Sequence, residues 1–491
     1  MQVRDRDLLS IQEARDLVAK AKGAQRVLAS MGQEEIDRLV AAVFRAAVEN
    51  AERLGRMAHE ETGYGRPEHK KLKNLFAAKG VYDAVKAMRT VGIIREDPEG
   101  KLFEVAVPVG VVAGLIPSTN PTSTVIFKAM IALKGANSIV FSPHPSAKNC
   151  IMETVKVLSK AVEDAGGPEG VFGCMSLTTP QGTQELMRPE NVSLILATGG
   201  SAMVRAAYSS GTPAIGVGPG NTPAFIDRTA DVPRAVARIT ASKTFDYSTI
   251  CASEQSVVVD KKVEDQVRRE FLRQGGYFVP SDDAAKLART IFQPSGLMNP
   301  RTVGRSPEFI AKEAGISIPA GTKLLLVEGQ GVGREFPFSQ EKLCPVLAFY
   351  SEDGWERCCE LCIRLLDFEG AGHTLAIHSN DQEVIRQFGL KKPVSRVIVN
   401  AGSSLGAVGA TTGLFPSMTL GCGAVGHNAT SDNVGPMHLI NVRRVAWGLK
   451  EIEELGADLG GCGTSGAVDQ DFPLEELVDR IADRLLKRLG R

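Results

Sequence analysis

The stretch from residue 111 to about residue 229 constrains the fold most, because short apolar runs alternate in it with segments of helical periodicity. The predicted strands are 138–141 and 192–197, and the predicted helices are 122–133, 149–165 and 201–208. A helix between two successive strands leaves those strands parallel in one sheet. The pattern therefore predicts an α/β fold with a Rossmann-like parallel sheet in a first domain over residues 1–240.

The first domain is predicted to begin with helices and to carry a β-hairpin arm. Residues 8–31 and 34–61 have apolar residues at three- and four-residue spacing, which is typical of amphipathic helices. Within 91–112, two β-rich runs flank the turn sequence EDPEG at 96–100, which predicts a hairpin. Because a long hairpin exposes edges that need a partner, the arm predicts a homo-oligomer.

A second α/β region over residues 241–415 is predicted to form the catalytic domain. Its predicted strands are 256–259, 323–327, 374–378 and 396–400. Residues 416–454 are predicted to return to the cofactor-binding and oligomerisation region.

The end of the chain has a different composition. Residues 455–470 carry five glycines, which predicts a flexible linker. Residues 471–491 are predicted to form a helix with one apolar stripe. The stripe consists of Leu474, Leu477, Val478, Ile481, Leu485 and Leu489. This tail resembles the encapsulation peptides of bacterial microcompartment cargo, which implies docking on a shell or another cargo protein. Packing on its own enzyme or on a neighbouring subunit is the alternative, and both stay open.

Charge and cysteine content narrow the functional classes. The 57 basic and 57 acidic residues give no net charge, whereas a nucleic-acid-binding chain carries a basic excess. No run of about 18 apolar residues is present, so no membrane span is predicted. A charged start and nine scattered cysteines favour reduced thiols in the cytoplasm. Cys358, Cys359 and Cys362 fall on one helical stretch without a second cysteine pair, so no metal site is predicted.

Cys251 is the candidate nucleophile. It follows a polar, turn-compatible segment and precedes the apolar run 257–259, and a thiol at the mouth of a strand is reactive if its thiolate is favoured. A cysteine alone is more often structural, so the assignment depends on the glycine-rich segment GVGPGNTP at 216–223. The two segments together resemble the aldehyde dehydrogenase superfamily, and the closest likeness is to its CoA-acylating branch.

The resemblance implies a thioester mechanism on Cys251. Asn120, which by itself is a typical helix cap, matches the asparagine that stabilises the oxyanion together with the Cys251 N–H. Val217 stands where hydrolytic members carry the glutamate that activates water, so CoA would accept the acyl group instead. His373, in the segment GAGHT at 370–374, would lie near the thioester or CoA.

The resemblance also implies a nicotinamide cofactor. A strand that runs into a small-residue turn and a helix at 196–201 can direct backbone amides at a pyrophosphate. The residues that would bind the cofactor are Ser142, Pro143, His144, Thr198, Gly199, Gly200, Ser201, Gly218 and, at the nicotinamide ribose, Glu341. NAD is the predicted cofactor, and NADP stays open because no acidic residue follows in the loop at 141–145 to hold a ribose 2′-hydroxyl.

The predicted reaction converts an aldehyde, CoA and NAD(P)+ reversibly into acyl-CoA and NAD(P)H. Acetaldehyde or propionaldehyde is the expected substrate, with sulfoacetaldehyde as an alternative. A hydrolytic dehydrogenase that releases the free acid is a second interpretation. A third is a binding or scaffold protein with the same fold and no catalytic activity. The presence of Cys251, Asn120 and Glu341 together argues against the third interpretation. The predicted location is the cytoplasm, with the interior of a microcompartment left open.

Overall fold

The computed structural model of the chain describes residues 5–188, 190–452, 454–455 and 479. In chain order, the described strands are β1 (Gly92–Asp97), β2 (Leu102–Pro108), β3 (Val111–Ile116), β4 (Ser138–Pro143), β5 (Phe172–Cys174), β6 (Leu194–Thr198), β7 (Ala214–Val217), β8 (Thr222–Ile226), β9 (Glu254–Asp260), β10 (Gly276–Phe278), β11 (Leu324–Glu328), β12 (Val346–Glu352), β13 (Gly372–His378), β14 (Val394–Val399) and β15 (Ile440–Ala446).

The described α-helices are α1 (Arg6–Leu28), α2 (Gln33–Glu49), α3 (Ala51–Thr62), α4 (Pro67–Leu75), α5 (Val81–Val85), α6 (Pro121–Lys134), α7 (Lys148–Asp164), α8 (Pro180–Leu186), α9 (Ser201–Tyr208), α10 (Val232–Thr244), α11 (Glu264–Arg273), α12 (Ser281–Ile291), α13 (Pro307–Ala314), α14 (Trp355–Phe368), α15 (Gln382–Lys391) and α16 (Ser403–Ala407). A π-helical turn, Phe76–Gly80, joins α4 to α5. None of these described helices is long and apolar enough to cross a membrane.

The predicted N-terminal helices pack on both faces of the first sheet. α1 begins at Asp5, whose carboxylate accepts hydrogen bonds from the backbone N–H groups of Asp7 and Leu8. Leu39 of α2 lies in the same core as Ile131 of α6, whereas α1 contributes most of its buried residues to the core on the other face of the sheet.

The predicted Rossmann-like sheet is confirmed. Its strands are all parallel and lie in the order β5-β4-β3-β6-β7. Counted along the chain this is the 3-2-1-4-5 order of dinucleotide-binding folds, in which the ligand lies at the carboxyl ends of the strands where the order reverses. In this sheet the reversal falls between β3 and β6, which end at Ile116 and Thr198.

A second parallel sheet has the order β10-β11-β12-β9-β8-β13-β14. Alternate residues of β9 enter separate cores, because Val257 packs with Val236 of α10 and Val258 packs with Leu365 of α14. The strand β8 belongs to this sheet, so the predicted first domain of 1–240 includes one strand of the second sheet. The glycine-rich segment at 216–223 is the point where the chain passes from one sheet to the other.

The hairpin arm differs from the prediction in length and in strand number. β1 and β2 flank a turn at residues 98–101, but residues 111–112 belong to β3 of the first sheet. A third strand, β15, lies beside β2 in the order β1-β2-β15. This strand comes from the return segment, and pairing between segments so distant in sequence leaves no local signal.

The chain divides into two compact units. The larger comprises Met1–Ile94 and Val105–Arg443, and the smaller comprises Arg95–Glu104 and Arg444–Arg491. In the smaller unit, Arg444 forms an ion pair with Glu104 at 3.0 Å, and the rings of Phe103 and Trp447 lie 5.6 Å apart. Apart from Leu455 and Asp479, the predicted linker and tail helix lie outside the described residues.

Candidate active site

Cys251 lies just before the amino end of β9, directly after a strained loop. Three successive loop residues, Asp246, Tyr247 and Ser248, have left-handed φ angles of 49°, 50° and 67°. Residues other than glycine adopt this region rarely, and such strain persists only where surrounding contacts hold it. The contacts around the loop therefore hold the strained backbone that positions Cys251.

Asp246 holds this loop through a buried set of donors. Its carboxylate accepts hydrogen bonds from the Arg66 backbone N–H at 2.7 Å and from the Thr249 hydroxyl at 2.6 Å. The ammonium groups of Lys70, at 3.2 Å, and Lys73 also donate to it. Burial alone would raise the pKa of Asp246, but the two ammonium groups outweigh burial and lower the pKa to about 2. The ionised carboxylate thus ties α4 to the cysteine loop.

Asn120 is joined to the same loop. Its Nδ2 donates to the backbone carbonyl of Thr249 at 2.9 Å and to the Thr119 hydroxyl at 3.2 Å. Its Oδ1 accepts a hydrogen bond from the Lys73 ammonium at 2.6 Å. Although Asn120 directly precedes α6, its side chain does not cap that helix. Its contacts instead bring it to the segment that leads into Cys251.

Gly220 is the meeting point of the other predicted site residues. A Cβ at this position would lie 2.2 Å from the Cys251 carbonyl oxygen and 3.3 Å from the His373 ring. The Gly220 backbone N–H donates to Glu341 Oε1 at 2.9 Å. Val217, at the end of β7, is buried and offers no proton acceptor. Only glycine allows the approach of the cysteine, histidine and glutamate segments at this point.

Burial controls the ionisation of the cysteine and the glutamate. It raises the pKa of the Cys251 thiol to about 12, and the nearby Glu341 carboxyl adds to the rise. Burial also raises the pKa of Glu341 to about 8, with a further contribution from Glu369. Glu369 Oε2 accepts a hydrogen bond from the Glu341 backbone N–H at 2.7 Å. At neutral pH the thiol is mainly protonated, so attack requires a partner that takes the proton or stabilises the charge.

His373 is a neutral side chain with one free ring nitrogen. Burial and the Arg396 guanidinium lower its pKa to about 3. Its Nδ1 lies 2.9 Å from the Thr374 hydroxyl, whereas its Nε2 has no partner among the described residues. Arg396 donates to the backbone carbonyls of His373 at 3.0 Å and Gly421 at 2.6 Å, which fixes the strand that carries the histidine. A buried polar atom without a partner is available to a ligand.

A cavity of about 360 Å³ lies at the carboxyl ends of β3, β4 and β6, where the strand order reverses. The predicted cofactor residues that line it are Ser142, Pro143, His144, Thr198, Gly199 and Gly200. Thr178 and Thr198 line this cavity, and their buried hydroxyls have no partner among the described residues. α9 begins at Ser201 without a side-chain cap, so its first amides are available to a phosphate. The described lining of the cavity includes no Asp or Glu. These features fit a dinucleotide.

Gly218 and Glu341 do not line this cavity. Gly218 follows β7 and has open space where a Cβ would lie. Glu341 instead lies beside Gly220, on the cysteine side. Ser201 is not part of the lining either, and it begins α9 directly after the lining residue Gly200. Six of the predicted cofactor residues thus line the cavity, whereas Glu341 lies near Cys251.

Sequence analysis missed the residues that support this site. Lys73 and Arg396 were not singled out, and Asp246 and Thr249 were part of the cysteine segment without an assigned role. No local pattern links a lysine in an N-terminal helix to a cysteine loop so much later in the chain. The left-handed loop residues likewise carry no glycine that would have marked the turn.

The fold and the cavity define an α/β protein of the dinucleotide-binding class, with a half-buried cysteine just before β9. Residues 7–277 match the aldehyde dehydrogenase family. The bifunctional aldehyde-alcohol dehydrogenase AdhE of Escherichia coli K12 is 42% identical over 442 residues, which are 89% of this chain and 50% of AdhE. The chain belongs to the aldehyde dehydrogenase family, and it spans about half the length of this relative.

Two solved structures share the fold over most of the chain. An acetylating aldehyde dehydrogenase from Geobacillus thermoglucosidasius is 52% identical with a TM-score of 0.90, covering 92% of this chain and 99% of the other. A propionaldehyde dehydrogenase from Rhodopseudomonas palustris, solved with bound CoA and an acylated cysteine, is 26% identical with a TM-score of 0.79. That similarity covers 88% of this chain and 97% of the other.

Proposed function

We propose that this protein is a CoA-acylating aldehyde dehydrogenase. It converts an aldehyde, CoA and NAD(P)+ into acyl-CoA and NAD(P)H through a thioester on Cys251, and the reaction is reversible. The observation that carries the proposal is the approach of Cys251, His373 and Glu341 around Gly220. The acetylating relative and the CoA-bound propionaldehyde dehydrogenase support the same chemistry.

In the first half-reaction, the Cys251 thiol releases its proton to solvent, its sulfur attacks the aldehyde carbon and negative charge develops on the carbonyl oxygen. The backbone N–H of Cys251 and Nδ2 of Asn120 donate to that oxygen. Nδ2 already contacts the Thr119 hydroxyl at 3.2 Å, and this longer contact is the one that the oxyanion replaces. A bound nicotinamide would supply the acceptor for the hydride that leaves the substrate carbon. The carbon, now without its hydride, remains on Cys251 as a thioester.

In the second half-reaction, an acyl acceptor breaks the thioester and restores the thiol. Val217 is buried and apolar at the position where a base would activate water, so hydrolysis is slow. A CoA thiol is already partly ionised near neutral pH and takes the acyl group. The free Nε2 of neutral His373 is placed to hydrogen-bond the incoming thiol or the thioester.

We assign the different parts of the cofactor to different residues. Its adenosine side is assigned to the cavity at Ser142, Pro143 and His144, and its pyrophosphate to the turn that starts α9. That turn comprises Thr198, Gly199, Gly200 and Ser201. Gly218 and Glu341 hold the nicotinamide side, with Glu341 at the ribose. NAD is the proposed cofactor, and the absence of Asp and Glu from the described cavity lining leaves room for the 2′-phosphate of NADP.

Short-chain aldehydes, acetaldehyde or propionaldehyde, are the proposed substrates. Sulfoacetaldehyde is the alternative, and steady-state assays over an aldehyde panel distinguish them. The tail at 471–491 is proposed to dock on a microcompartment shell or on another cargo protein, on the strength of its sequence pattern.

The test of the function is product analysis by mass spectrometry with and without CoA. We expect acyl-CoA when CoA is present and little free acid when it is absent. Val217→Glu is expected to raise free-acid formation, because it supplies a base, and Cys251→Ala is the inactive control. Free acid that forms at the same rate without CoA contradicts the proposal and assigns a hydrolytic dehydrogenase instead.

A further inference from the structure

Lys73 is a buried lysine that no part of the proposed mechanism uses. It lies on α4 with only 3% of its surface exposed, and its ammonium donates to Asn120 Oδ1 at 2.6 Å and to Thr249 Oγ1 at 3.1 Å. It also pairs with the carboxylate of Asp246. A lysine is rarely buried so deeply unless its charge is compensated, so this position has a specific requirement for an ammonium.

The contacts of Lys73 determine which way the Asn120 amide faces. Burial lowers the pKa of Lys73 to about 7, but the ion pair with the ionised Asp246 carboxylate favours the charged ammonium. An ammonium group can only donate, so the atom that it contacts must be the amide oxygen. On the other side of the amide, the Thr249 backbone carbonyl can only accept, so the atom that it contacts at 2.9 Å must be the NH2 group. The two neighbours independently require the same orientation. A flipped amide would meet a carbonyl with its oxygen and an ammonium with its NH2 group, and both contacts would be repulsive.

This orientation is the one that an oxyanion needs. Stabilisation of charge on the substrate oxygen depends on donors that are already aimed at it, because reorientation during the reaction has a free-energy cost. An amide oxygen turned toward that position would repel the charge. Lys73 also polarises the amide through Oδ1, which strengthens the donors on Nδ2.

From these contacts we propose that Lys73 is a positioning residue, which holds the Asn120 amide in its donating orientation and ties it, through Asp246 and Thr249, to the loop of Cys251. This inference rests on the proposed function, since it gives Asn120 the oxyanion role. It adds a buried ion pair from an N-terminal helix to the oxyanion site.

Lys70 provides a matched control. It lies on the same helix, is 2% exposed and donates to the same Asp246 carboxylate at 3.2 Å. Its other contact is the Thr119 backbone carbonyl at 3.3 Å, so it touches neither Asn120 nor Thr249. Lys70→Met and Lys73→Met therefore remove equivalent charges and leave the same carboxylate with one cation, but only Lys73→Met releases the Asn120 amide.

The experiment measures kcat and KM of the full-length enzyme for Lys73→Met and Lys70→Met, each alone and combined with Asn120→Ala. We expect Lys73→Met to lower kcat by about 10- to 100-fold with KM nearly unchanged, which is less than the ~10²- to 10³-fold loss on deletion of an oxyanion donor. In the Asn120→Ala background, Lys73→Met is expected to change kcat by less than about threefold, because the group that it positions is gone. Lys70→Met also removes a donor from Asp246 but leaves the Asn120 amide held, so it should lower kcat clearly less than Lys73→Met does.

Three results would overturn the proposal. They are a Lys73→Met enzyme with kcat within about threefold of wild type, an equal loss of kcat in the wild-type and Asn120→Ala backgrounds, or an equal loss of kcat in Lys70→Met.

Cofactor titration and thermal unfolding check that the variants fold. If Lys73→Met does not fold, Asp246→Asn takes its place, alone and combined with Asn120→Ala. This substitution keeps the shape of the side chain but removes the carboxylate that pairs with Lys73. Steady-state cofactor reduction by the wild-type enzyme without CoA, beyond one equivalent per active site, would refute only the choice of acyl acceptor. The mutant cycle could still be interpreted, because the oxyanion forms before acyl transfer.

Discussion

At the scale of single residues, the site uses buried groups whose neighbours determine their charge. Asp246 stays ionised because two ammonium groups outweigh its burial, whereas Cys251 and Glu341 are held toward their neutral forms by burial. His373 stays neutral for the same reason. The proposed chemistry therefore begins from a protonated thiol next to a carboxyl that titrates near physiological pH.

The first residue-scale prediction concerns alkylation of Cys251 by iodoacetamide in the cofactor-free enzyme. Because burial raises the thiol pKa to about 12, we expect the rate to rise about tenfold per pH unit from pH 7 to 10 without a plateau. Glu341→Gln removes a charge that raises this pKa, but the Glu341 pKa of about 8 means that the charge is present only at higher pH. The variant should thus react like wild type at pH 7 and several-fold faster at pH 10.

Mass spectrometry of the Cys251 peptide, with Cys251→Ala as the control, assigns the signal to this cysteine. A plateau below pH 9 in wild type would show a much more acidic thiol than its burial implies. Equal alkylation rates for Glu341→Gln and wild type at pH 10 would show that the Glu341 charge does not affect the pKa of Cys251.

At the scale of elements, the site is assembled at the ends of strands and helices. Cys251 precedes β9, Asn120 lies between β3 and α6, and Gly220 lies in the connection from β7 to β8. Such junctions place side chains and free backbone groups together while the sheets hold them rigidly. The connection at Gly220 matters most, because three site segments pack against it.

The element-scale prediction is that Gly220→Ala severely lowers activity. The new Cβ would lie 2.2 Å from the Cys251 carbonyl oxygen, which is backbone and cannot move aside alone. We expect kcat to fall by at least about 10²-fold, the cost of misplacing reacting groups by about 1 Å.

Gly389→Ala is the control for this prediction. It lies in α15 with no atom within 4 Å of its Cβ position, so kcat should stay unchanged and stability should rise slightly. A Gly220→Ala enzyme with normal kcat and an unchanged melting temperature would show that the cysteine loop adapts to the extra methyl group.

At the scale of the whole molecule, helices cover both faces of the two parallel sheets, whereas most residues of the β1-β2-β15 sheet are exposed or half-buried. The outer strands of this sheet are paired on one side only in the described chain. Exposed apolar side chains accompany it, with Ile93 at 41% and Trp447 at 54% of their surface. Unpaired strand edges and exposed aromatic side chains favour association.

The whole-molecule prediction is that the protein is at least a dimer at micromolar concentration and that deletion of residues 456–491 leaves the oligomer and kcat/KM nearly unchanged. Sedimentation analysis of the full-length and truncated chains, with steady-state kinetics on both, measures this. If the host makes a shell, the truncated enzyme should lose co-localisation with it. A species with the mass of one chain would refute the oligomer. Loss of activity or assembly on truncation would place the tail in the enzyme itself.

The sequence by itself determined the class of fold. Apolar periodicity is local information, so the helix predicted at 201–208 has the observed bounds and the strand predicted at 138–141 is extended by only two residues. The order of the first sheet follows from strands and helices that alternate along the chain. The resemblance to aldehyde dehydrogenases also selected Cys251, Asn120, His373 and Glu341 as one candidate set.

The tertiary structure alone decided how those residues meet. The pairing of β15 with β2, the place of β8 in the second sheet and the convergence on Gly220 all depend on contacts between distant segments. The same holds for the Lys73–Asp246 pair, whose members are far apart in sequence. The burial that sets the pKa of Cys251 is likewise a property of the packed chain. Periodicity and local motifs report what a segment prefers, and only packing brings remote charges and hydrogen-bond donors within reach of one another.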